Sequence, residues 1–189
     1  MAGIMVPKAR AETPVGGGNN DAPFPEGDWI GSIEKVEVTS LPFTPKAGQG
    51  YATPEDVEQT TIWLADNKST NGGPDVGKRK FFARFITRDG EVSVEDAPNI
   101  SETSWQLQRS AALLANAAAA LGATEEVEMD GETYVKTTDG FLGQLQAGDL
   151  DGTRVGFGIY HGKEYTVKRG TPDEAKRRDA NIREFFQAV

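Results

Sequence analysis

Hydrophobic and polar residues alternate most regularly at 78–88, and this alternation predicts a β-strand that ends at the Asp89-Gly90 turn. Because successive side chains of a strand point to opposite faces, the stretch presents two different surfaces. One surface is an ordinary core stripe of Phe81, Ala83 and Phe85. The other alternates cations with apolar side chains and consists of Lys80, Phe82, Arg84, Ile86 and Arg88. A cationic surface with an aromatic ring suits unpaired nucleotides, whereas a charged, solvated edge strand is the alternative interpretation.

Five further stretches are typical of strands. They are 29–38, where a bulge is expected, 60–65, the weaker 91–95, and the two segments 154–161 and 164–169. The last two are predicted to form a hairpin, because a two-residue loop that starts with Gly162 suits a type II′ turn. In that register Tyr160 faces Tyr165, and Gly156 and Gly158 leave the backbone open for close approach.

Helical spacing of apolar residues predicts three helices. The clearest covers 104–121, is rich in alanine, and has a capping box of Thr103 and Gln106 before it. A short helix is expected at 139–148. A third is expected at 171–189, where Thr171 and Pro172 suit a helix start and apolar residues recur at 182, 185, 186 and 189.

These elements divide the chain into a flexible N-terminal arm at 1–27, a domain at 28–170 and a C-terminal helix at 171–189. The arm is rich in Pro and Gly and has too few apolar residues to order itself. The expected fold is mainly β with some helix, an α+β arrangement. Three strands, a helix and two strands follow one another, which predicts a five-stranded OB-like barrel with a helix between strands three and four.

Composition narrows the function. The 189 residues carry a net charge of −9, which argues against coating of duplex DNA by bulk charge and against an anionic membrane partner. A local basic groove stays open, because such fields act within about 8–10 Å. The chain has no apolar run of about 18 residues, so we expect no membrane partner and a cytoplasmic protein.

No set of residues forms a coherent catalytic constellation, so a non-enzymatic protein without metal or cofactor is expected. The chain has no cysteine and one histidine, His161, which excludes thiolate and multi-histidine metal sites. The spacing of Gly72, Gly77 and Lys78 resembles a phosphate-binding loop, but Arg79 stands where a Mg²⁺-binding hydroxyl is needed. The acidic run at 125–132 is better explained as a solvated loop than as a nuclease metal site.

A binding surface therefore remains as the main functional feature. Its candidate residues are four strand aromatics, Trp63, Phe82, Tyr160 and Tyr165, and the nearby cations Lys80, Arg84, Arg88, Lys163 and Arg169. Bases that stack on such rings contribute roughly 1–3 kcal/mol each, and the cations suit phosphates. The pattern predicts that these side chains share one face and bind a single strand.

The layout resembles that of small bacteriophage proteins of the OB-fold, single-stranded-DNA-binding kind over roughly residues 25–170. The resemblance rests on Pro25-Glu26-Gly27-Asp28-Trp29, on the alanine-rich helix, on Leu150-Asp151-Gly152-Thr153-Arg154-Val155-Gly156-Phe157 and on Tyr160-His161-Gly162-Lys163-Glu164-Tyr165. It implies binding of unwound DNA during replication, recombination or annealing. It also implies that strands two and three and the terminal hairpin contact the DNA.

Two functional hypotheses follow. The leading one is a sequence-tolerant single-stranded-DNA-binding protein that acts in phage DNA replication or recombination. Replication or recombination proteins are further partners through the C-terminal helix, and homo-oligomerisation stays open. The alternative is a β-rich phage virion or assembly protein that uses the arm and the Phe185-Phe186 segment for protein contacts.

Overall fold

The computed structural model describes residues 3–7, 23–40, 57–96, 105–167, 169–172 and 174–189, and within them the chain is mainly β. The strands are β1 Met5–Pro7, β2 Gly27–Ser40, β3 Val57–Ser69, β4 Phe81–Asp89, β5 Val92–Ser93, β6 Thr124–Met129, β7 Glu132–Thr137, β8 Arg154–His161, β9 Tyr165–Val167, β10 Ala175–Arg177 and β11 Ala180–Phe186. The helices are α1 Trp105–Ala120 and α2 Phe141–Ala147, and a 3₁₀ turn covers Val94–Asp96.

The largest sheet has six antiparallel strands in the order β11-β8-β2-β3-β4-β5 and curls into a half-barrel. Its long central pair, β2 and β3, is bulged at two places along the register. Bulges bend a strand and increase its twist, which favours a curled sheet. The predicted strands at 29–38, 60–65 and 154–161 fall within this sheet, whereas the one predicted at 78–88 begins only at Phe81, because residues 78–80 precede β4. The predicted core stripe of Phe81, Ala83 and Phe85 is confirmed.

Helix α1 lies between the two open edges of the half-barrel. At one edge the Ser110 hydroxyl accepts a hydrogen bond of 2.8 Å from the backbone N–H of Ile86 on β4. At the other edge the Asn116 side-chain oxygen accepts one from the backbone N–H of Phe185 on β11. Unpaired edge groups invite pairing with another chain, so these two side chains protect both edges. The helix predicted at 104–121 is confirmed, whereas the Thr103 cap lies outside the described residues.

A second sheet, in the order β1-β7-β6, lies on the other side of α1. Helix α1 is thus enclosed by two sheets, and apolar residues on most of its circumference are buried. A helix that is hydrophobic all round is expected to be buried in this way. The alanine run that ends α1 is explained by this close packing on both sides.

Aromatic rings fill the centre of the half-barrel. Phe24, Trp29, Phe81 and Phe157 are each at most 2% exposed. The Phe24 ring meets Trp29 edge-on with centroids 4.9 Å apart, and Phe81 stacks on Phe157 at 5.7 Å. Truncation of one such ring to alanine typically costs about 3–5 kcal/mol of stability. These rings therefore form the core on the inner side of the sheet, opposite its outer face.

The predicted C-terminal helix at 171–189 is wrong, because the segment forms β10 and β11 instead. A register shift between Ile182 and Glu184 explains the error. The bulge breaks the two-residue alternation, so the buried residues become Ala180, Ile182 and Phe185. Spacings of three and four residues then imitate a helical stripe.

The predicted hairpin between 154–161 and 164–169 is also wrong. Strand β8 pairs with β11 and β2, while β9 pairs with β10. Tyr160 therefore lies opposite Asn181, and Tyr165 lies opposite Arg177. The two pairs form one long interrupted ribbon, β8–β9 against β10–β11. Pairing of distant segments replaces the tight turn that the local residues at 162–163 favour.

The predicted arm at 1–27 needs correction at both of its ends. Strand β1 pairs with β7, and Ile4 and Val6 are 0% and 2% exposed. Phe24 belongs to the aromatic core described above. Residues 8–22 lie outside the described part of the chain. The packed body thus begins before residue 28, because two short apolar segments dock separately on it.

Candidate nucleic-acid interface

The outer face of β2, β3 and β4 carries most of the predicted strand cations. Register places Lys35, Trp63 and Phe82 side by side across the three strands. The next row places Glu37, Thr61 and Arg84 side by side. We call this surface the outer β2–β4 face, defined by Glu34, Lys35, Glu37, Glu58, Trp63, Lys80, Phe82, Arg84 and Arg88. The predicted proximity of Trp63 and Phe82 is thus confirmed.

Trp63 lies at the centre of this face and is partly exposed. Its ring centroid is 5.0 Å from that of Phe82, at an angle of 50°. The Lys35 ammonium lies over the indole, 5.4 Å from its centroid. The indole N–H donates a hydrogen bond of 2.8 Å to a Glu37 carboxylate oxygen. The indole is therefore held in place, and the groups that hold it are flexible surface side chains.

Phe82 has a different role from the one predicted. Only 8% of the residue is exposed, and the Arg84 guanidinium covers its ring at 4.5 Å from the centroid. A base cannot stack on Phe82 unless Arg84 moves. Phe82 therefore supports Trp63 from the side, and Arg84 presents its charge above the sheet.

Carboxylates on the same face pair with three of its four cations. The ion pairs are Lys35–Glu37 at 2.5 Å, Lys80–Glu34 at 2.5 Å and Arg88–Glu58 at 3.4 Å. The cation without such a pair among the described residues is Arg84. Exposed pairs of this kind contribute only about 0–1 kcal/mol, so an incoming anion can exchange with the carboxylates.

Glu37 is the carboxylate with the most direct contact to the ring. The hydrogen bond from Lys35, and then the one from Trp63, holds the pKa of Glu37 below its ordinary value, while desolvation acts in the opposite direction. Glu58 differs because Thr87 and Gln146 also donate hydrogen bonds to it. Of the three carboxylates, Glu58 therefore has the most hydrogen-bond donors, while Glu34 and Glu37 depend on fewer contacts.

A cavity of about 440 Å³ lies at one end of the face, beside the register shifts between β2 and β3. Lys78, Lys80, Glu34 and Asp66 contribute charged groups to its lining. Asp66 has a φ of 53°, a conformation that costs energy for a residue other than glycine. The cavity is balanced in charge and continues the outer β2–β4 face without an aromatic ring of its own.

The other predicted site residues lie elsewhere. Tyr160 continues the outer face of β8 and is 38% exposed, whereas Tyr165, Lys163 and Arg169 lie on or beside the β9–β10 ribbon. Ile159, next to Tyr160, pairs with Gly27 of β2, whereas Trp63 pairs with Lys35 of β2. Tyr160 and Trp63 are therefore about eight β2 residues apart, or roughly 26 Å along that strand. The structure does not bring both tyrosines to Trp63.

The tyrosine on the ribbon has a structural partner. The Tyr165 hydroxyl donates a hydrogen bond of 2.8 Å to Asp179, and this bond raises the pKa of Tyr165 above its ordinary value. Lys163 and Arg169 are exposed nearby. These residues form a separate basic surface, not a second part of the face around Trp63.

His161 is less exposed than a solvated turn histidine. Its Nε2 lies 2.8 Å from the Phe24 carbonyl oxygen, and its Nδ1 lies 3.8 Å from Glu26. It therefore helps to tie the segment before β2 to the end of β8. Within the described ranges, no group of three or more His, Asp or Glu side chains is arranged to hold a metal ion.

Sequence reasoning missed the acidic partners and Lys35. Glu34, Glu37 and Glu58 come from strands whose register was not predicted. The alternation of Lys35 and Glu37 on the first predicted strand is the signal that was available. Pairing that strand with 60–65 in the observed register would have placed both side chains beside Trp63.

Comparison of the chain with family models, curated proteins and solved structures finds no match. In the part of the chain that the structure describes, neither helix has the length and apolar character needed to span a membrane. The functional interpretation therefore depends on the geometry of the outer β2–β4 face.

Proposed function

We propose that the protein binds single-stranded DNA without strong sequence preference, through the outer β2–β4 face. In this proposal the half-barrel and α1 together act as an OB-like barrel, a fold that binds oligonucleotides on the face of its second and third strands. The resemblance to phage proteins supports a role in phage DNA replication or recombination, and such a role places the protein in the host cytoplasm.

One observation carries the proposal. Trp63 is a partly exposed ring on the outer side of a curled sheet, and the cations near it are Lys35 of β2, Arg84 of β4 and Lys80 just before β4. A flat ring among cations is the arrangement that sequence-tolerant single-strand binders use, because every base has a flat face and every nucleotide has a phosphate. Trp63 supplies the stacking surface, and Lys35, Lys80 and Arg84 supply the phosphate contacts.

The electrostatics also favour a single strand over duplex DNA. The face has four cations and three carboxylates, so its excess is one positive charge (4 − 3), while the whole chain has −9. Long-range attraction to the dense charge of a duplex is therefore weak. Stacking on Trp63 adds free energy that only an unpaired base can provide.

Replacement of the central ring tests the function. Trp63→Ala should weaken binding of a fluorescent oligo(dT) by roughly 5- to 150-fold in an anisotropy titration, the equivalent of about 1–3 kcal/mol of lost stacking. Trp105→Ala is the matched control, since Trp105 is 58% exposed but lies on α1. Equal affinities for wild type and Trp63→Ala, with both proteins folded, would show that the face is not the binding site.

A virion or assembly role is the second candidate, and its specific support is an apolar cleft near the C-terminus. Ile30, Phe186 and Val189 line this cleft of about 470 Å³ on the opposite half of the sheet. Such a cleft fits a protein partner better than a nucleic acid. Phe186→Ser should then abolish assembly and leave oligonucleotide binding unchanged, whereas loss of function only in Trp63→Ala favours DNA binding.

A further inference from the structure

Glu37 joins the two groups that a bound nucleotide needs. One carboxylate oxygen pairs with the Lys35 ammonium at 2.5 Å, and the other accepts the hydrogen bond of 2.8 Å from the Trp63 indole. Lys35 in turn covers the indole ring. The three side chains form a closed set, so Trp63 and Lys35 are engaged with each other before any ligand arrives.

The carboxylate occupies the place that a phosphate would take. A phosphate oxygen prefers the same partner, the ammonium of Lys35, and a base prefers the ring surface that Lys35 covers. Binding at Trp63 therefore requires an exchange in which Lys35 leaves the ring and releases Glu37. Side-chain exposures of 50% for Lys35 and 44% for Glu37 leave both free to move into solvent.

The other acids of the face are less suited to this exchange. Glu58 is held by Thr87 and Gln146 in addition to Arg88. Glu34 pairs with Lys80 at the cavity, where no ring is in contact. Only Glu37 contacts both a cation and the exposed ring among the described residues.

We infer that Glu37 is a built-in competitor of the DNA phosphate at Lys35, and that it sets both the affinity and the salt dependence of single-strand binding at Trp63. The inference rests on the proposed function and names the regulation of the same site. Because Glu37 already neutralises Lys35, a contact between Lys35 and a phosphate should add little to the number of counterions that the DNA releases on binding. Removal of the Glu37 charge should restore that contribution, about 0.7 in the slope of log affinity against log salt for each single-strand phosphate.

The test is Glu37→Gln, whose amide oxygen still accepts the Trp63 hydrogen bond but has no charge. Binding to oligo(dT) is measured by anisotropy between about 50 and 200 mM salt. We expect affinity at low salt to rise about fivefold, the size of one unit-charge interaction at about 4 Å in water, and the slope to steepen by about 0.7. Asp130→Asn is the matched control, because it makes the same charge change at the β6–β7 turn in the other sheet.

Each outcome decides. A steeper slope and tighter binding in Glu37→Gln alone support the inference. Unchanged or weaker binding in Glu37→Gln, with a wild type that binds through Trp63, overturns the inference and leaves the proposed function intact. An equal gain in Asp130→Asn also overturns it, because the effect is then one of total charge. If neither wild type nor Glu37→Gln binds oligo(dT), both the proposed function and the inference fail.

Discussion

The outer side of the six-stranded sheet has two halves that differ in what covers the backbone. On β8, Gly156 and Gly158 leave the strand bare, and the chain covers it with its own C-terminal strand: Phe186 lies over Gly156 and Arg183 lies over Gly158. On the half formed by β3 and β4, the partly exposed Trp63 ring contacts the polar side chains of Lys35 and Glu37. The predicted open backbone at the two glycines is thus covered from inside the molecule, whereas Trp63 stays partly exposed.

Arg183 on the β8 half has more charged partners than Lys35 or Arg84 on the other half. The Arg183 guanidinium pairs with Asp28 at 2.8 Å and with Glu184 at 2.9 Å. Two carboxylates therefore hold one cation on the β8 half. The halves thus differ in how their cations are held: Lys35 pairs with one carboxylate, and Arg84 with none among the described residues.

The largest expected effect is a loss of stability when the packing of Phe186 on β8 is disrupted. Gly156→Ala places a Cβ 2.2 Å from the Phe186 ring, so the ring must move away from β8. We expect a loss of about 1–3 kcal/mol in the free energy of unfolding, measured by urea denaturation. The same substitution in a Phe186→Ala background should cost much less, since the clash is then absent. An equal cost in both backgrounds would mean that Phe186 does not cover Gly156.

A smaller effect is expected on DNA binding, which substitutions on the β3–β4 half should weaken and substitutions on the β8 half should not. Arg84→Ala removes the cation above Phe82 and should weaken oligo(dT) binding roughly threefold to tenfold, with a salt slope lower by about 0.7. Arg183→Ala is its matched partner on the covered half and should leave both quantities unchanged. A comparable loss in Arg183→Ala would place the β8 half in the binding site.

The smallest expected effect concerns pH. Because Lys35 and Trp63 hold the pKa of Glu37 low in the free protein, displacement by DNA should return it toward its ordinary value. The complex then binds more protons than the free protein, so affinity should rise as pH falls through the region of the reference glutamate pKa, about 4.3. We expect about a twofold change between pH 5.5 and roughly 4.3, measured by anisotropy and absent in Glu37→Gln. An equal rise in that variant would assign the effect to another group.

The sequence predicted correctly those helices and strands whose type can be recognised from their own residues, without knowledge of the segments they pack against. The alternation of Phe81, Ala83 and Phe85 and the alanine-rich stripe of α1 are single-element signals, and both are confirmed. The short helix expected at 139–148 is confirmed as α2. Each of these elements buries one continuous stripe, so its period is visible in the sequence.

Long-range pairing determined the parts that were predicted wrongly. The bulge beside Ile182 disguises β11 as a helix, and the pairing of β8 with β11 separates Tyr160 from Tyr165. Strand β1 needs β7, more than a hundred residues away, before Ile4 can be buried. For the candidate site, the sequence pattern indicated Trp63, Phe82 and Arg84, whereas the role of Glu37 depends on the β2–β3 register.

The emission of Trp63 during a titration with oligo(dT) tests the central claim most directly. A Trp105→Phe variant leaves two tryptophans, of which Trp29 is 1% exposed in the core and should report a constant background. If a base stacks on Trp63, emission should fall as oligo(dT) is added at low salt and recover when salt is raised. Emission that stays constant while an independent anisotropy signal shows binding would contradict a binding site at Trp63.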